Sequence, residues 1–217
     1  MANRDAQIVC LEINDAYIRA GLLSNHARRS HHIWEQGWRS LGNLHLSSTC
    51  EFPAVVGRLS EIQALPGLTL PLSSAQRLLV GDQCQASGIR HLLEINHPVY
   101  MGIVRSWEDM FHLFDYTFQR LGIDPRADDY RISLSYSLSS YEDLPKIVQT
   151  MFERYAFSSV QFVHDAIASL YYTGLLTGLV VDVGKSFTHI TPVCDGQTLP
   201  DFVKCINLAG RNVTECV

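Results

Sequence analysis

An α/β fold, a mixed sheet with flanking helices, is predicted by three observations on the sequence. A β-rich run, Gln7–Ile13, is followed after Asn14-Asp15-Ala16 by a second, Tyr17–Leu23, which reads as strand, tight turn, strand. Downstream, short apolar runs alternate with amphipathic stretches of helical period. Further on, an apolar run delivers Asp182 into a Val183-Gly184-Lys185-Ser186 turn and a second strand-like run leaves it.

Taken in order after the first hairpin, residues 24–51 are polar, rich in His, Arg and Ser, and hold no sustained period. They are expected to form an insertion or long loop. Residues 59–77 mix Leu with Pro66, Gly67, Pro71, Ser73 and Ser74, again a loop composition. Ser106 with Asp109 three residues on is an N-cap signature, and Trp107, Met110, Phe111, Phe114, Phe118 and Leu121 then form one helical stripe. Residues 131–136 alternate as a strand. Leu144, Ile147, Val148, Met151, Phe152 and Tyr155 mark a second helix with Pro145 in its first turn. A short strand at 158–163 leads to a third helix at 165–174, closed by a glycine, and then to the hairpin of 178–182 and 187–193.

At 217 residues the chain is long enough for one large domain or two small ones. Hydrophobic residues at 47% and charged residues at 18% mark a globular chain. A net charge of -5 argues against a nucleic-acid binder, whose footprint is net basic. The opening MANRDAQIVC has no basic-then-apolar leader, and no apolar run approaches a membrane span, so an intracellular chain without a membrane span is expected. Six cysteines without a C-x-x-C spacing are expected to be free thiols, and Asn212-Val213-Thr214 reads as a chance sequon.

A strand that carries Asp182 into a glycine turn, with its partner leaving through Thr188, suits phosphate binding. Glycine lets the backbone approach an anion, successive N–H groups form a nest, and a carboxylate at the strand end can hold a hydrated Mg²⁺. A plain hairpin with a capping Asp has the same pattern, and the residues alone leave both readings open. His26, His31 and His32 with Cys50 lack the spacing of a closed zinc site and read as a solvated loop. Trp34 and Trp38 read as a packing pair or a partner anchor, and no G-x-S-x-G elbow supports a hydrolase triad.

FPAVVGR (52–58), LLVGDQCQ (78–85), HPVYMGIVRSWEDMFHLFDYTF (97–118), QTMFERY (149–155), ASLYYTGLLTGLVVDVGKSFTHITPVCDG (168–196) and LAGRNVTECV (208–217) occur in the order found in the actin family. The chain resembles that family over most of residues 52–217. LEINHP (93–98), HLFDYTF (112–118), GIDPR (122–126) and GLLTGLVVD (174–182) are more similar to the actin-related proteins of branched-filament nucleating complexes than to conventional actin. The resemblance implies an actin-like ATPase (ribonuclease H-like) α/β fold with an incomplete second half. Residues 1–172 would form subdomains 1 and 2, the latter at about 50–85 with the insertion at 24–51, and 173–217 the truncated start of subdomain 3.

The resemblance further implies ATP or ADP with Mg²⁺ in a cleft between the halves, gripped by two hairpins. Carried onto this chain, the nucleotide-binding positions are Asn14, Asp15, Ala16 and Arg19 in the first hairpin and Asp182, Val183, Gly184, Lys185 and Ser186 in the second. The metal-facing carboxylates are Glu12 and Asp182, and the hydrolytic positions are Asp165, Asp182 and His189. The chain departs from the family at these positions. Its first loop has no glycine, and Asp15 stands where a small hydroxyl residue meets phosphate. Lys185 replaces an acid, Ser186 a glycine, and Asp165 the water-positioning glutamine.

A carboxylate at position 15 repels a triphosphate, so nucleotide binding is expected to be weak or absent and hydrolysis to be lost. Asp15 and Lys185 are expected either to pair across the cleft or to point separately to solvent. The expected function is that of a structural and interaction subunit of an actin-filament nucleating (branching) complex. Its partners would be actin and the other subunits of that complex, and its place the cytoplasm and cytoskeleton. The alternatives are an active actin-type ATPase and a nuclear actin-related scaffold of a chromatin-remodelling complex. A half-fold is also expected to expose apolar surface unless a partner covers it.

Overall fold

The computed structural model describes residues 7–23, 46–59, 78–86, 88, 90–136 and 142–216. The first two predicted strands form as β1 (Gln7–Ile13) and β2 (Tyr17–Leu23), an antiparallel hairpin in which Glu12 faces Arg19. β3 (Leu46–Pro53) pairs antiparallel with β2 and sets Glu51 opposite Arg19. The loop expected at 24–51 therefore ends sooner, because the alternating Cys50 and Phe52 bury on the sheet. Residues 24–45 and 60–77, with the histidines and tryptophans noted above, lie outside the described residues.

β4 (Val56–Leu59), β5 (Leu78–Val80) and β6 (Leu93–Asn96) make a separate three-stranded sheet in the order β5-β4-β6. β7 (Val99–Tyr100) and β8 (Ile103–Val104) are joined by Met101 and Gly102, whose φ values of 54° and 70° give the mirror-image turn that matches strand twist. α1 (Trp107–Leu121) begins as predicted, with the Ser106 hydroxyl accepting from the Asp109 amide at 3.3 Å, and ends at left-handed Gly122.

β9 (Tyr130–Tyr136) pairs parallel with β1, and β10 (Ser159–His164) pairs parallel with β9. The large sheet thus runs β10-β9-β1-β2-β3. Between β9 and β10 the predicted single helix is α2 (Leu144–Gln149) continued by one π-helical turn at Thr150–Arg154. Met151 and Tyr155 are both buried in the core.

One core holds this half together. Val9, Leu11, Ile18, Ile132 and Leu134 project from one face of the sheet onto Met110, Leu113, Phe114, Phe118 and Leu121, the i, i+3, i+4 stripe of α1. Aromatic rings interlock there, with Phe118 at 4.9 Å from Tyr155 and 5.4 Å from Phe157, centroid to centroid. Asp109, buried inside α1, is held by Arg58 and Asn96, which ties the small sheet to the helix. Burial pushes its carboxyl up, but the Arg58 and Asn96 hydrogen bonds bring it below the ordinary carboxylate range.

The second half is thinner. α3 (Asp165–Thr173) ends at left-handed Gly174 and packs on a sheet made of β11 (Gly178–Val183), β12 (Thr188–Cys194), β13 (Gln197–Thr198) and β14 (Lys204–Ile206). Its buried cluster is only Ala166, Leu170 and Val193, with Ile167 and Val180 beside them. The outer edge of β11 is unpaired among the described residues, and Leu179, Val181 and Val183 are 64%, 55% and 64% exposed. The chain closes on α4 (Gly210–Glu215). All six cysteines are free, as expected.

Phe114 is fully buried at the centre of the first core. Phe114→Ala is expected to destabilise the chain by about 3–5 kcal/mol, measured as a lowered urea midpoint.

Candidate functional site

The ends of β1, β10 and β11, together with the β7–β8 turn, surround an open cavity of about 300 Å³. Every nucleotide, metal and hydrolytic position that the resemblance implied borders it: Glu12, Asn14, Asp15, Ala16, Arg19, Asp165, Asp182, Val183, Gly184, Lys185, Ser186 and His189. Parallel pairing explains the convergence, because β1, β9 and β10 all end on one side of the sheet.

The first turn is held by its own side chain. Asn14 Oδ1 accepts from the amides of Ala16 at 2.9 Å and Tyr17 at 2.7 Å, while Asn14 N donates to the Tyr17 carbonyl at 3.2 Å. This Asx turn consumes amides that a phosphate loop would offer to a ligand. Asn14 Nδ2 donates to Glu12 Oε1 at 3.0 Å, and Arg19 Nη1 donates to the same oxygen at 3.3 Å. Arg19 also donates through Nε to Glu51 at 3.0 Å, so the guanidinium is shared between two carboxylates in cross-strand register.

The second turn is a tight one. Gly184 N donates to the Phe187 carbonyl at 2.9 Å, and a Cβ at Gly184 would lie 3.1 Å from that oxygen. α4 braces the turn from behind, with Gly210 N donating to the Gly184 carbonyl at 3.0 Å and Arg211 N to the Lys185 carbonyl at 2.8 Å.

The two turns meet at Asp15. Ser186 Oγ donates to Asp15 Oδ2 at 2.5 Å, and Gly102 N donates to Asp15 Oδ1 at 2.7 Å. Asp15 and Lys185 follow neither expected alternative, a side-chain ion pair or two separate solvent-facing side chains. Lys185 Nζ donates to the backbone carbonyl of Asp15 at 3.4 Å, and the carboxylate is taken by the hydroxyl and the amide. Adjacent residues of the turn face opposite ways: Ser186 is buried in the gap, while Lys185 stays exposed at its rim.

Behind this contact lies a patch of polar strain. Burial, with the nearby charges of Glu12 and Asp182, pushes the Asp165 carboxyl up to about 7; the Ser135 hydroxyl pulls the other way without forming a full hydrogen bond. Asp165 Oδ1, Ser135 Oγ and His164 Nε2 are buried without partners. His164 Nδ1 accepts from the Ala166 amide at 3.1 Å and caps α3, which leaves the ring proton of the neutral form on Nε2. Burial lowers the pKa of both His164 and His189. His189 faces Asp182 across the β11–β12 ladder, and its Nε2 lies 3.5 Å from Cys205 Sγ.

The lining brings more carboxyl groups than cations to the cavity. Glu12, Asp15, Asp143, Asp165 and Asp182 line the cavity against the cations Arg19 and Lys185, and the gap between the turns already holds a carboxylate. Among the described residues no three His, Cys, Asp or Glu side chains are placed to hold a metal ion, and Glu12, one of the expected Mg²⁺ ligands, is engaged by Asn14 and Arg19. Sequence reasoning missed Gly102, Asp143 and Glu51. Asp143 Oδ2 accepts from the Val104 amide at 2.8 Å and so anchors the β7–β8 hairpin. A Met-Gly pair between short β-prone runs was the available signal for Gly102.

Asp165 sets a pH dependence whose sign follows from its raised value. The native state keeps a proton that the unfolded chain gives up near 3.8, so the stabilisation is full below that value and is lost as pH rises through about 7. Asp165→Asn is expected to flatten the melting temperature between about pH 5 and pH 8 and to raise it at the upper end. Thermal melts across that range check this.

A family model described as actin matches residues 45–217. Actin-related protein 2 of Arabidopsis thaliana is 41% identical over 169 residues, covering 76% of this chain and 41% of the relative. Actin-related protein 2 of Acanthamoeba castellanii is 40% identical over 167 residues (75% and 41%), and that of Oryza sativa subsp. indica 40% identical over 172 residues (76% and 41%). The matched part is thus about two fifths of the length of these relatives. With the cleft formed by paired hairpins and the model match across most of its length, the chain belongs to the actin family.

Proposed function

We propose that this chain acts as an actin-related structural subunit of an actin-filament nucleating complex, with its cleft poor in nucleotide. Its partners are then actin and the other subunits of the complex, and its place is the cytoplasmic cytoskeleton. The observation that carries the nucleotide-poor part is the Asp15 carboxylate bound between the two hairpins by Ser186 and Gly102. Support for the assembly part comes from the similarity to proteins named actin-related protein 2. The exposed apolar residues of the second half, among them Phe202, Leu208 and Val213, suit a chain that is covered when assembled. No described helix is long and apolar enough to cross a membrane.

A second reading, an active ATPase, is favoured by one observation. Asp165, held near neutrality beside Asp182 and His189 with a free buried oxygen, has the character of a general base.

Affinity purification from cells tests the assembly: recovery with actin-nucleating subunits is expected, and recovery with remodelling ATPases instead would overturn it. For the cleft, a MgATP titration and a phosphate-release assay are expected to show neither saturable binding at micromolar concentration nor turnover. Release that disappears in Asp165→Asn would establish the ATPase reading.

A further inference from the structure

Asp15 is where three separate loops meet, and its contacts form a closed ring. The β7–β8 turn reaches it through the Gly102 amide, and the β11–β12 turn through the Ser186 hydroxyl and the Lys185 ammonium. α4 then holds the β11–β12 turn by its Gly184 and Lys185 carbonyls. From α4, Arg211 Nη1 donates to the Tyr100 hydroxyl at 2.8 Å and stacks on that ring at 5.6 Å, which returns to β7 beside the starting point. Met101, a residue with a side chain, is held in the left-handed region next to Gly102, a conformation kept only where the surroundings over-determine it.

The donors that meet the Asp15 carboxylate are of the kind an anionic ligand seeks, a backbone amide at a tight turn and a hydroxyl from the facing loop, with the Lys185 ammonium beside them on the Asp15 backbone carbonyl. We infer that the Asp15 carboxylate is the resident anion of the cleft, standing where a phosphate would stand and latching the two hairpins together without a ligand. The inference rests on the nucleotide-poor reading of the same cleft and names what replaces the nucleotide. A carboxylate built into the turn needs no binding from solution, so its donors are filled at all ligand concentrations. Asp15 also excludes phosphate, because a second anion brought to the same donors meets a like charge at contact distance. Asp15 is in this sense the residue that decides the cleft's ligand specificity.

The test uses the full chain as wild type, Ser186→Ala, Asp15→Asn and Asp15→Ser, with hydrogen exchange of residues 183–187 and titration with pyrophosphate. Loss of the charge-assisted hydrogen bond between Ser186 and Asp15, alone in Ser186→Ala and together with the Gly102 bond in Asp15→Ser, is expected to speed exchange of the ligand-free hairpin by about tenfold or more. Pyrophosphate is expected to bind Asp15→Ser and Asp15→Asn at least about tenfold more tightly than wild type and to slow exchange again in Asp15→Ser. Unchanged exchange in both Ser186→Ala and Asp15→Ser would show that there is no latch. Equal pyrophosphate affinity in wild type and Asp15→Asn would show that the carboxylate does not hold the anion position. If Asp15→Ser does not fold, Ser186→Ala and Asp15→Asn, which keep the turn's shape, decide the two points. Tight MgATP binding by wild type sinks the nucleotide-poor reading, whereas unchanged exchange sinks the latch alone, so the two failures are distinct.

Discussion

Strand β1 is hydrogen-bonded along both edges, antiparallel to β2 and parallel to β9, and the cleft begins at its C-terminal end. Its two faces divide the labour. Val9 and Leu11 are buried against α1, and this places the strand to within the tolerance of a packed core. Glu12, at its far end, projects into the cavity instead. Because β9 and β10 run parallel to β1, the end of β10 delivers His164 and Asp165 to the same side. The position of the site therefore depends on the burial of an apolar helix stripe some distance away.

Within the cleft, electrostatics and hydrogen bonding point the same way. The Asx turn at Asn14 satisfies the amides of the first loop, and Arg19 is committed to Glu12 and Glu51. These groups of the first hairpin and β3 are bound to one another. Burial, with the charges of Glu12 and Asp182 beside it, raises the Asp165 carboxyl to about 7. The groups inside the two hairpins are matched to one another.

The second half shows the opposite economy. Its buried cluster is small, β11 leaves one edge unpaired among the described residues, and the apolar side chains of that strand face outward. In the large sheet β9 lies parallel to β1 and β10 parallel to β9, whereas among the described residues no parallel strand lies beside β11. These exposed side chains lie in the part of the chain with the smallest buried cluster.

Much of the fold was legible in the sequence because its signals are local. The Ser106 cap, the 3.6-residue stripe of α1, the glycine stops at Gly122 and Gly174, and the alternation of β1, β2 and β9 all arise from neighbours in the chain. β3 was hidden because only part of it alternates and its partner lies beyond a long polar segment. The residues of the cleft were also identified, since the turns that hold them carry a family pattern. Their pairing was not. Whether Asp15 meets Lys185 or Ser186 depends on which way each residue of a turn faces, and that Gly102 would complete the site depends on a hairpin 87 residues away. By itself the sequence determined the strands, the helices and the charges brought to the cleft; the tertiary structure decided which of those charges are spent on one another, because only packing sets the distances at which hydrogen bonds form.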